Sequence, residues 1–424
     1  MNADSLIGTL VHRFNRHVMS FPEPTGPVEL PRRERDEPLL LYLHIPFCVS
    51  LCPFCTFHRV LFDEQRANAY FATLGREVQL ATDAGYRFDE VYVGGGTPTV
   101  LPEALVGLLR ELRERNPLTT VSVETNPNHL DDRHVGLLHD AGVNRLSVGV
   151  QSFDDGLLER MGRLVPYGSG RDIAARLSRY RDAFDTLNVD MIFNQPQQSE
   201  QSLRRDLDIL VDEVQAAQVS FYPLMVADST RAAIREHMGT VIRDHEKRYY
   251  DLIGERMLAA GYRRDSGWCF SRRGGALDEY IVRRGEYLGL GSGAYSYLGG
   301  RIFASTFDLG EYAARVADGR VAFVRERALS RHEQMRYYLL VTMFAGRLDK
   351  RRAEALFDGE FAHTLGFELA GLRAIRALRD TGDEWQLTRH GYYLWVVLMR
   401  EFFTGINSLR DQLRTRDTQA RAAI

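Results

Sequence analysis

Short apolar runs alternate, along residues 39–224, with segments in which apolar residues recur every three or four positions. The runs predict buried strands, and the periodic segments predict helices that pack on both faces of a sheet. We place strands at 39–45, 90–93, 120–124, 145–150, 186–193 and 219–224, and helices at 64–84, 103–116, 131–141 and 203–213. This alternation predicts an α/β fold, a partial (β/α)6 barrel.

The pattern changes near residue 300. Amphipathic helical patterns occupy 330–344 and 349–356, and residues 384–392 resemble a short strand that leads into a helix through 393–403. We therefore divide the chain into an N-terminal extension (1–36), the partial barrel (37–300) and a small, mainly helical, winged-helix-like C-terminal domain (301–424). We expect the charged tail beyond Leu409 to fray.

Composition narrows the class of protein. The chain has 424 residues, of which 44% are hydrophobic and 26% charged, as in ordinary globular proteins. A net charge of −3 excludes a generally basic nucleic-acid-binding protein. No apolar run approaches the ~20 residues of a membrane helix, and the first residues lack the apolar core of a secretion signal. We expect a cytoplasmic protein with neither a membrane span nor a nucleic-acid partner.

Three of the four cysteines lie within eight residues, at Cys48, Cys52 and Cys55. In a reducing compartment this clustering favours a metal centre over disulfides. A tetrahedral zinc site would need a fourth ligand, for which His44 and His58 are the candidates. A cubane iron–sulfur cluster explains the odd number better, because three thiolates leave one iron open for a substrate or cofactor. We expect the isolated Cys269 to be a small buried side chain.

Unusual residues follow several predicted strands. Gly94, Gly95 and Gly96, with Thr97, follow the second strand, Glu124 and Gln151 end the third and fourth, and Asp190 lies late in the fifth. Because parallel strands end at one edge, these residues should meet there. Simpler explanations are a tight turn, a surface glutamate and a buried Asp190–Arg163 ion pair. The glycines of 289–293 lack the dinucleotide-binding spacing, so we reject that interpretation.

Together these motifs resemble the radical S-adenosylmethionine (SAM) superfamily of oxygen-independent coproporphyrinogen III dehydrogenase (oxidase). HIPFC-x3-C-x2-C, GGGTP, E-x-NP, R-x-S-x-GVQSF and YLGLG-x-GA occur in order between Tyr42 and Tyr297. The resemblance implies that Cys48, Cys52 and Cys55 hold a [4Fe–4S] cluster. It implies SAM-binding roles for Tyr42, Gly95, Gly96, Thr97 and Glu124. Gln151, Arg163 and Asp190 match positions that bind a second SAM in the porphyrinogen-processing member, so one or two SAM molecules are expected.

The resemblance also implies an activity: an oxidoreductase that generates a 5′-deoxyadenosyl radical and oxidatively decarboxylates the propionates of a tetrapyrrole. Its electron donor would be a reduced flavodoxin or ferredoxin-type protein. The sequence departs from that member at Phe57, where the member has another cysteine. Phe57 is instead similar to the heme chaperone and methyltransferase branches.

Other departures keep alternatives open. The chaperone's heme motif should lie near 275–282, but residues 276–281 read ALDEYI. Asn194 and Gln195 replace the usual glycine and leucine before Pro196, and no histidine closely follows Arg163. The first alternative is a radical SAM methyltransferase or heme ring-opening enzyme. The second is a heme-binding chaperone with little turnover.

Overall fold

An α/β core built on one large sheet carries the fold. The computed structural model describes residues 21–22, 24, 26–33, 37–274 and 285–422, with side chains described to residue 414. The stretch 276–281, where a heme motif was looked for, lies outside the described residues. The strands of the main sheet are β1 (Leu39–Ile45), β4 (Phe88–Gly95), β5 (Thr120–Thr125), β6 (Arg145–Gln151), β7 (Thr186–Phe193), β8 (Gln218–Pro223), β9 (Arg263–Arg264), β10 (Cys269–Ser271), β11 (Tyr287–Leu290), β12 (Tyr295–Leu298), β13 (Arg301–Ser305) and β14 (Phe323–Ala328). The short strands β2 (Phe47–Cys48) and β3 (Val60–Leu61) pair with each other.

Helices connect the parallel strands, and the four predicted from periodicity at 64–84, 103–116, 131–141 and 203–213 are among them. They are α1 (Glu64–Asp83), α2 (Pro102–Arg115), α3 (Asp132–Asp140), α4 (Asp155–Arg160), α5 (Leu164–Tyr167), α6 (Gly170–Tyr180), α7 (Glu200–Asp208), α8 (Asp228–His237) and α9 (Glu246–Ala259). Side-chain caps begin several of them: Asp63 accepts a hydrogen bond from the backbone N–H of Arg66 at the start of α1. After α7 the chain continues as a π-helix, Ile209–Val214, which ends at the left-handed Gln215.

The sheet is an open, partial barrel. Its strand order is β14-β13-β12-β11-β1-β4-β5-β6-β7-β8-β10-β9. The six predicted strands are present and parallel, and β11 adds a further parallel strand beside β1. All seven residues of β1 are buried, as expected for a strand covered on both faces. Each large apolar side chain buried in this way contributes about 1.5–3 kcal/mol.

The C-terminal part is mainly helical with a small sheet. It contains α10 (Leu309–Ala317), α11 (Arg331–Met343), α12 (Lys350–Leu356), α13 (Phe361–Thr364), α14 (Gly366–Ala374) and α15 (Arg389–Ala422). The strands β15 (Arg347–Asp349), β16 (Leu378–Asp380) and β17 (Glu384–Leu387) form an antiparallel sheet in the order β15-β17-β16.

The predicted domain boundary and the predicted frayed tail both concern this part of the chain. The predicted boundary at residue 300 falls inside the β12–β13 hairpin, where Leu298 pairs with Arg301, and the sheet runs on to Ala328. The division into domains therefore stays a prediction. The expected fraying beyond Leu409 is wrong, because α15 continues to Ala422 and both Leu409 and Leu413 are buried in an apolar cluster.

Across the described residues, no helix is both long and apolar enough to cross a bilayer.

Candidate active site

A cavity of about 280 Å³ opens at the carboxyl ends of the parallel strands. β1, β4, β5, β6 and β7 all end toward it, because their parallel pairing brings their ends to one edge. Every site residue suggested by the motifs lines this cavity: Tyr42, Cys48, Cys52, Cys55, Gly95, Gly96, Thr97, Glu124, Gln151, Arg163 and Asp190. The structure thus brings together residues that are up to about 150 positions apart in sequence.

The glycine segment at the end of β4 has no room for side chains. A Cβ on Gly94 would lie 2.7 Å from Glu124 Oε1, and one on Gly96 would lie 2.7 Å from the Phe47 carbonyl oxygen. Gly95 has φ +117°, and a Cβ there would lie 2.6 Å from the His44 ring. The backbone itself therefore forms this wall of the cavity, as close approach to a ligand requires.

Glu124 is fixed between two donors. The Tyr92 hydroxyl donates to Glu124 Oε1 at 2.9 Å, and the backbone N–H of Gly95 donates to Oε2 at 3.0 Å. The carboxylate therefore lies at the end of β5 against the glycine segment, and is not a solvated surface group. Carboxylates held by charge-assisted hydrogen bonds keep a defined orientation toward a ligand.

The cysteine loop is held by an arginine that the sequence analysis did not single out. Arg59 Nη2 donates to the carbonyl oxygens of Cys52 and Cys55, at 2.6 and 2.9 Å. Cys48 and Cys52 are only 7% exposed, and Cys55 is half-buried. Burial, together with a smaller contribution from the neighbouring Cys55, raises the pKa of Cys48 to about 12. Thiolates in this loop therefore need a nearby positive charge.

A hydrogen-bonded chain links the thiols to the strand ends. Thr97 Oγ1 donates to Cys48 Sγ at 3.6 Å, and Asn126 Nδ2 donates to Thr97 Oγ1 at 2.8 Å. Arg163 Nη2 donates to Asn126 Oδ1 at 2.9 Å, while its Nη1 lies 3.5 Å from Cys52 Sγ. Asn126 completes this chain; its presence in the E-x-NP motif was the signal that could have identified it.

Arg163 and Asp190 have separate partners, so the alternative of a buried Asp–Arg pair does not describe them. Asp190 accepts from Ser147 Oγ at 2.9 Å and from Asn188 Nδ2 at 2.6 Å. The Arg163 guanidinium stacks over the Tyr167 ring, 4.2 Å from its centroid. Asp190 lines the cavity and is oriented there by these two hydrogen bonds.

The end of β6 is conformationally unusual. Gln151 has φ +77°, which is rare for a residue with a side chain and is typical of functional sites. Gln195 Nε2 donates to the carbonyl oxygens of Gln151 and Ile192, at 3.1 and 2.8 Å. Gln195, one of the two departures before Pro196, therefore ties the ends of β6 and β7 together.

His44 and His58 form a polar network behind the glycine segment. His44 Nε2 lies 2.9 Å from the His58 carbonyl oxygen, so it carries the proton, and Nδ1 accepts from the Tyr42 hydroxyl at 2.9 Å. Burial lowers the pKa of His44 to about 4, so the ring is neutral. Among the described residues, no group of three or more His, Cys, Asp or Glu side chains is arranged to hold a single metal ion. Both ring nitrogens of His44 are engaged by protein groups.

The C-terminal helix α15 forms a wall of the cavity that the sequence analysis missed. Phe402, Phe403, Ile406, Asn407 and Arg410 line it from this helix. Asn407 Nδ2 donates to Thr56 Oγ1 at 2.9 Å, which joins the helix to the residue after Cys55. This contact spans 351 positions, and no local sequence pattern encodes it. Cys269 lies apart, buried in β10 opposite Ser220 of β8.

Comparison with known proteins decides the family. The model of the radical SAM superfamily matches residues 42–210. The heme chaperone HemW of Mycobacterium tuberculosis is 32% identical over 293 residues, which cover 65% of this chain and 74% of that protein. The chain belongs to the radical SAM superfamily.

Two further radical SAM relatives are informative. The oxygen-independent coproporphyrinogen III oxidase of Pseudomonas aeruginosa is 27% identical, over 73% of each chain. The solved structure of coproporphyrinogen III oxidase (HemN) from Escherichia coli has a TM-score of 0.73 and 24% identity, and the match covers 91% of this chain and 95% of that one. The shared fold therefore includes the C-terminal part as well as the sheet.

The cofactors of this superfamily are a [4Fe–4S] cluster and SAM, and the residues present fit both. Three thiols face one cavity, and each would bind a different iron, so they need not converge as on a single ion. The raised pKa of Cys48 fits a thiol that loses its proton only to a strongly cationic centre. The bare glycine backbone beside Glu124 fits a ligand with amino and carboxylate groups. A small-molecule substrate and an electron donor follow from the family.

Proposed function

We propose that this protein is a radical SAM oxidoreductase that acts on a tetrapyrrole, with oxidative decarboxylation of propionate side chains as the reaction. The observation that carries the proposal is the composition of the cavity. Its inner part holds the cysteine loop, the glycine segment and Glu124, and its outer part is lined by aromatic rings and by Arg410. Flat aromatic walls with few cations suit a planar macrocycle that bears carboxylates.

Aromatic side chains from three different elements supply the outer wall. Tyr295 comes from β12, Tyr337 from α11, and Phe402 from α15. The rings of Tyr337 and Phe402 are 6.2 Å apart at their centroids, so they form one continuous apolar surface. A wall of this kind binds a conjugated ring and excludes water from the reacting atoms.

Each inner residue has a distinct task in this proposal. Cys48, Cys52 and Cys55 would hold the cluster, and Arg59 would keep their loop in shape. Tyr42, Gly95, Gly96, Thr97 and Glu124 would hold SAM. When bound, the reduced cluster and SAM supply a 5′-deoxyadenosyl radical, which takes a hydrogen atom from the substrate. A reduced flavodoxin or ferredoxin-type protein would supply the electron.

The cavity-facing residues of β6 and β7 would act on the substrate side. Gln151, Arg163 and Asp190 offer an amide, a guanidinium and a carboxylate to the same space. They would hold either a second SAM or the polar edge of the substrate. The hydrogen bonds of Arg163 and Asp190 keep these two side chains oriented before the ligand arrives, which lowers the entropic cost of binding.

Phe57 favours a second candidate function. It lines the cavity beside the cysteine loop and is 49% exposed, in the position where the porphyrinogen-processing member has a cysteine. This residue supports chemistry on heme, such as methyl transfer or ring opening, or heme binding with little turnover. The relative named heme chaperone HemW supports the heme-binding version.

One anaerobic experiment tests these functions. The cluster is reconstituted, the protein is reduced with dithionite, and SAM is added with coproporphyrinogen III or with heme. Mass spectrometry follows 5′-deoxyadenosine and the tetrapyrrole. We expect 5′-deoxyadenosine together with loss of two carboxyl groups from coproporphyrinogen III. If coproporphyrinogen III is never decarboxylated and 5′-deoxyadenosine forms only in the presence of heme, the first function is wrong and the second candidate function replaces it.

Two cysteine substitutions, one inside the cavity and one outside it, provide a test of the cluster assignment and its matched control. Cys52→Ala should abolish the brown chromophore and SAM cleavage, because it removes a cluster ligand. Cys269→Ala removes a buried thiol outside the cavity and should keep both. A Cys52→Ala protein that kept the chromophore and SAM cleavage would contradict the cluster assignment.

A further inference from the structure

Two buried hydrogen-bond donors in the outer cavity have no partner among the residues that the structure describes. Arg410, on α15, is 5% exposed, and its Nε has no hydrogen-bond acceptor. Tyr295, on β12, is 8% exposed, and its hydroxyl is also without a partner. Both side chains line the cavity. A buried donor left unpaired costs about 1–3 kcal/mol, so two in one cavity wall indicate a ligand that satisfies them.

The rest of the Arg410 guanidinium is already fixed. Its Nη1 donates to the carbonyl oxygen of Thr56 and, at 2.9 Å, to Asn407 Oδ1. These bonds hold the side chain in one orientation, and they leave the Nε edge for another acceptor. The preorganised donor therefore loses little side-chain entropy when an anion binds.

The charge of Arg410 lies against the Thr56 carbonyl oxygen, Asn407 Oδ1 and the Phe57 ring. In the part of the chain that the structure describes, Arg410 forms no ion pair with a carboxylate. Burial raises the pKa of Tyr295 to about 12; within this net effect the nearby charge of Arg410 lowers the pKa and that of Asp411 raises it. Tyr295 therefore keeps its proton at neutral pH and can donate a hydrogen bond beside a cation. A cation and a hydroxyl donor together match a carboxylate.

The other two arginines of the cavity have tasks at the cysteine loop. Arg59 donates to the carbonyl oxygens of that loop, and Arg163 donates to Asn126 and lies beside Cys52. Arg410 is the cavity arginine contributed by the C-terminal helix. Tyr295, on β12, lies two strands from β1 and four strands from β5, which carry the SAM-binding candidates Tyr42 and Glu124.

We propose that Arg410 and Tyr295 form a carboxylate-binding subsite that anchors one acidic side chain of the substrate. The inference rests on the proposed function, since it takes the substrate to be a tetrapyrrole with carboxylate side chains. It adds the substrate contact that fixes which edge of the macrocycle points toward α15. Both residues are positioned in the apo protein, so the subsite exists before the substrate binds.

The test compares an acid with its neutral analogue. Coproporphyrin III, a stable tetracarboxylate, and its tetra-amide are titrated into the reconstituted protein, and binding is followed by porphyrin absorption. The wild-type protein should bind the tetracarboxylate about 10- to 100-fold more tightly than the tetra-amide, because a charge-assisted hydrogen bond contributes about 1.5–3 kcal/mol.

Variants assign this preference to the two residues. Arg410→Gln should remove most of the acid preference. Tyr295→Phe should weaken binding of the acid by about 5-fold and leave binding of the amide unchanged. Because the Tyr295 hydroxyl has no protein partner, Tyr295→Phe loses no internal hydrogen bond and should unfold no earlier than wild type. Tyr297→Phe, on the same strand but outside the cavity lining, is the matched control.

Several results would overturn the inference. Equal weakening of acid and amide in both variants would mean that the residues only shape the wall. A loss of SAM affinity in equilibrium dialysis, with porphyrin binding unchanged, would assign the carboxylate to SAM. If the wild-type protein cleaves SAM but binds neither porphyrin, the proposed tetrapyrrole substrate fails, and the subsite fails with it. If the wild type binds both porphyrins equally, only the subsite fails.

Discussion

Replacing Gly95 by alanine tests whether the glycine segment is built for close approach. Gly95 has φ +117°, a conformation that costs a residue with a side chain about 1–3 kcal/mol. The new Cβ would also lie 2.6 Å from the His44 ring. The ring must then move, which breaks its hydrogen bonds to Tyr42 and to the His58 carbonyl, each worth about 1 kcal/mol.

These contributions predict that Gly95→Ala lowers the free energy of unfolding by about 3–5 kcal/mol. Unfolding entropy of about 2.1 cal/mol/K per residue, over 424 residues, converts this loss to a fall in Tm of about 3–6 °C. The assay is calorimetry of the apo protein, so that cofactor binding does not contribute. Urea unfolding should show the same loss as a lower midpoint.

Gly107 provides the matched control. It is an exposed residue of α2, and a Cβ there would meet no atom within 4 Å. Gly107→Ala should therefore raise stability by about 0.5–1 kcal/mol, through the helical preference of alanine. A Gly95→Ala protein that melts within 1 °C of wild type would refute the reasoning about steric closure.

Three further substitutions test other parts of the site and the fold. Arg59→Lys should weaken retention of cluster iron against a chelator about 10-fold or more, because one guanidinium nitrogen bridges two loop carbonyls; wild-type retention would contradict this. Glu124→Gln should raise the Kd for SAM about 10- to 100-fold in calorimetric titration, and a change below 2-fold would count against its role. Burial raises the pKa of Asp206 to about 7, so its charged form destabilises the fold and stability falls as the pH rises from about 4 to 7. Urea unfolding at several pH values should show that Asp206→Asn reduces this pH-dependent loss of stability by up to about 4 kcal/mol. If the free energies of unfolding of the wild type and the variant change with pH in parallel, Asp206 does not cause the loss.

Much of the sheet could be predicted because its strands are continuously apolar. The strands at 39–45 and 186–193 match the structure to the residue. The position of the site followed from the same reasoning, since parallel strands end at one edge. β11 was missed as a strand because its four residues include a glycine and continue into the glycine-rich 291–293.

The contribution of α15 could not be predicted from local patterns. Charges beyond Leu409 were interpreted as a solvated tail, although Leu409 and Leu413 are spaced as one buried helix face. The contact of Asn407 with Thr56 depends on how the C-terminal part packs against the cysteine loop. Sequence motifs identified the residues of the inner cavity, while its outer wall is a product of tertiary structure.

The long helix α15 also orders events during synthesis of the protein. It follows every strand of the main sheet along the chain, so the ribosome produces the cysteine loop and the parallel strands first. Until α15 packs against Thr56, one side of the cavity is open to the solvent. The nascent protein therefore passes through a stage in which the cysteine loop is more accessible than in the folded protein. Packing of α15 then covers that side of the cavity.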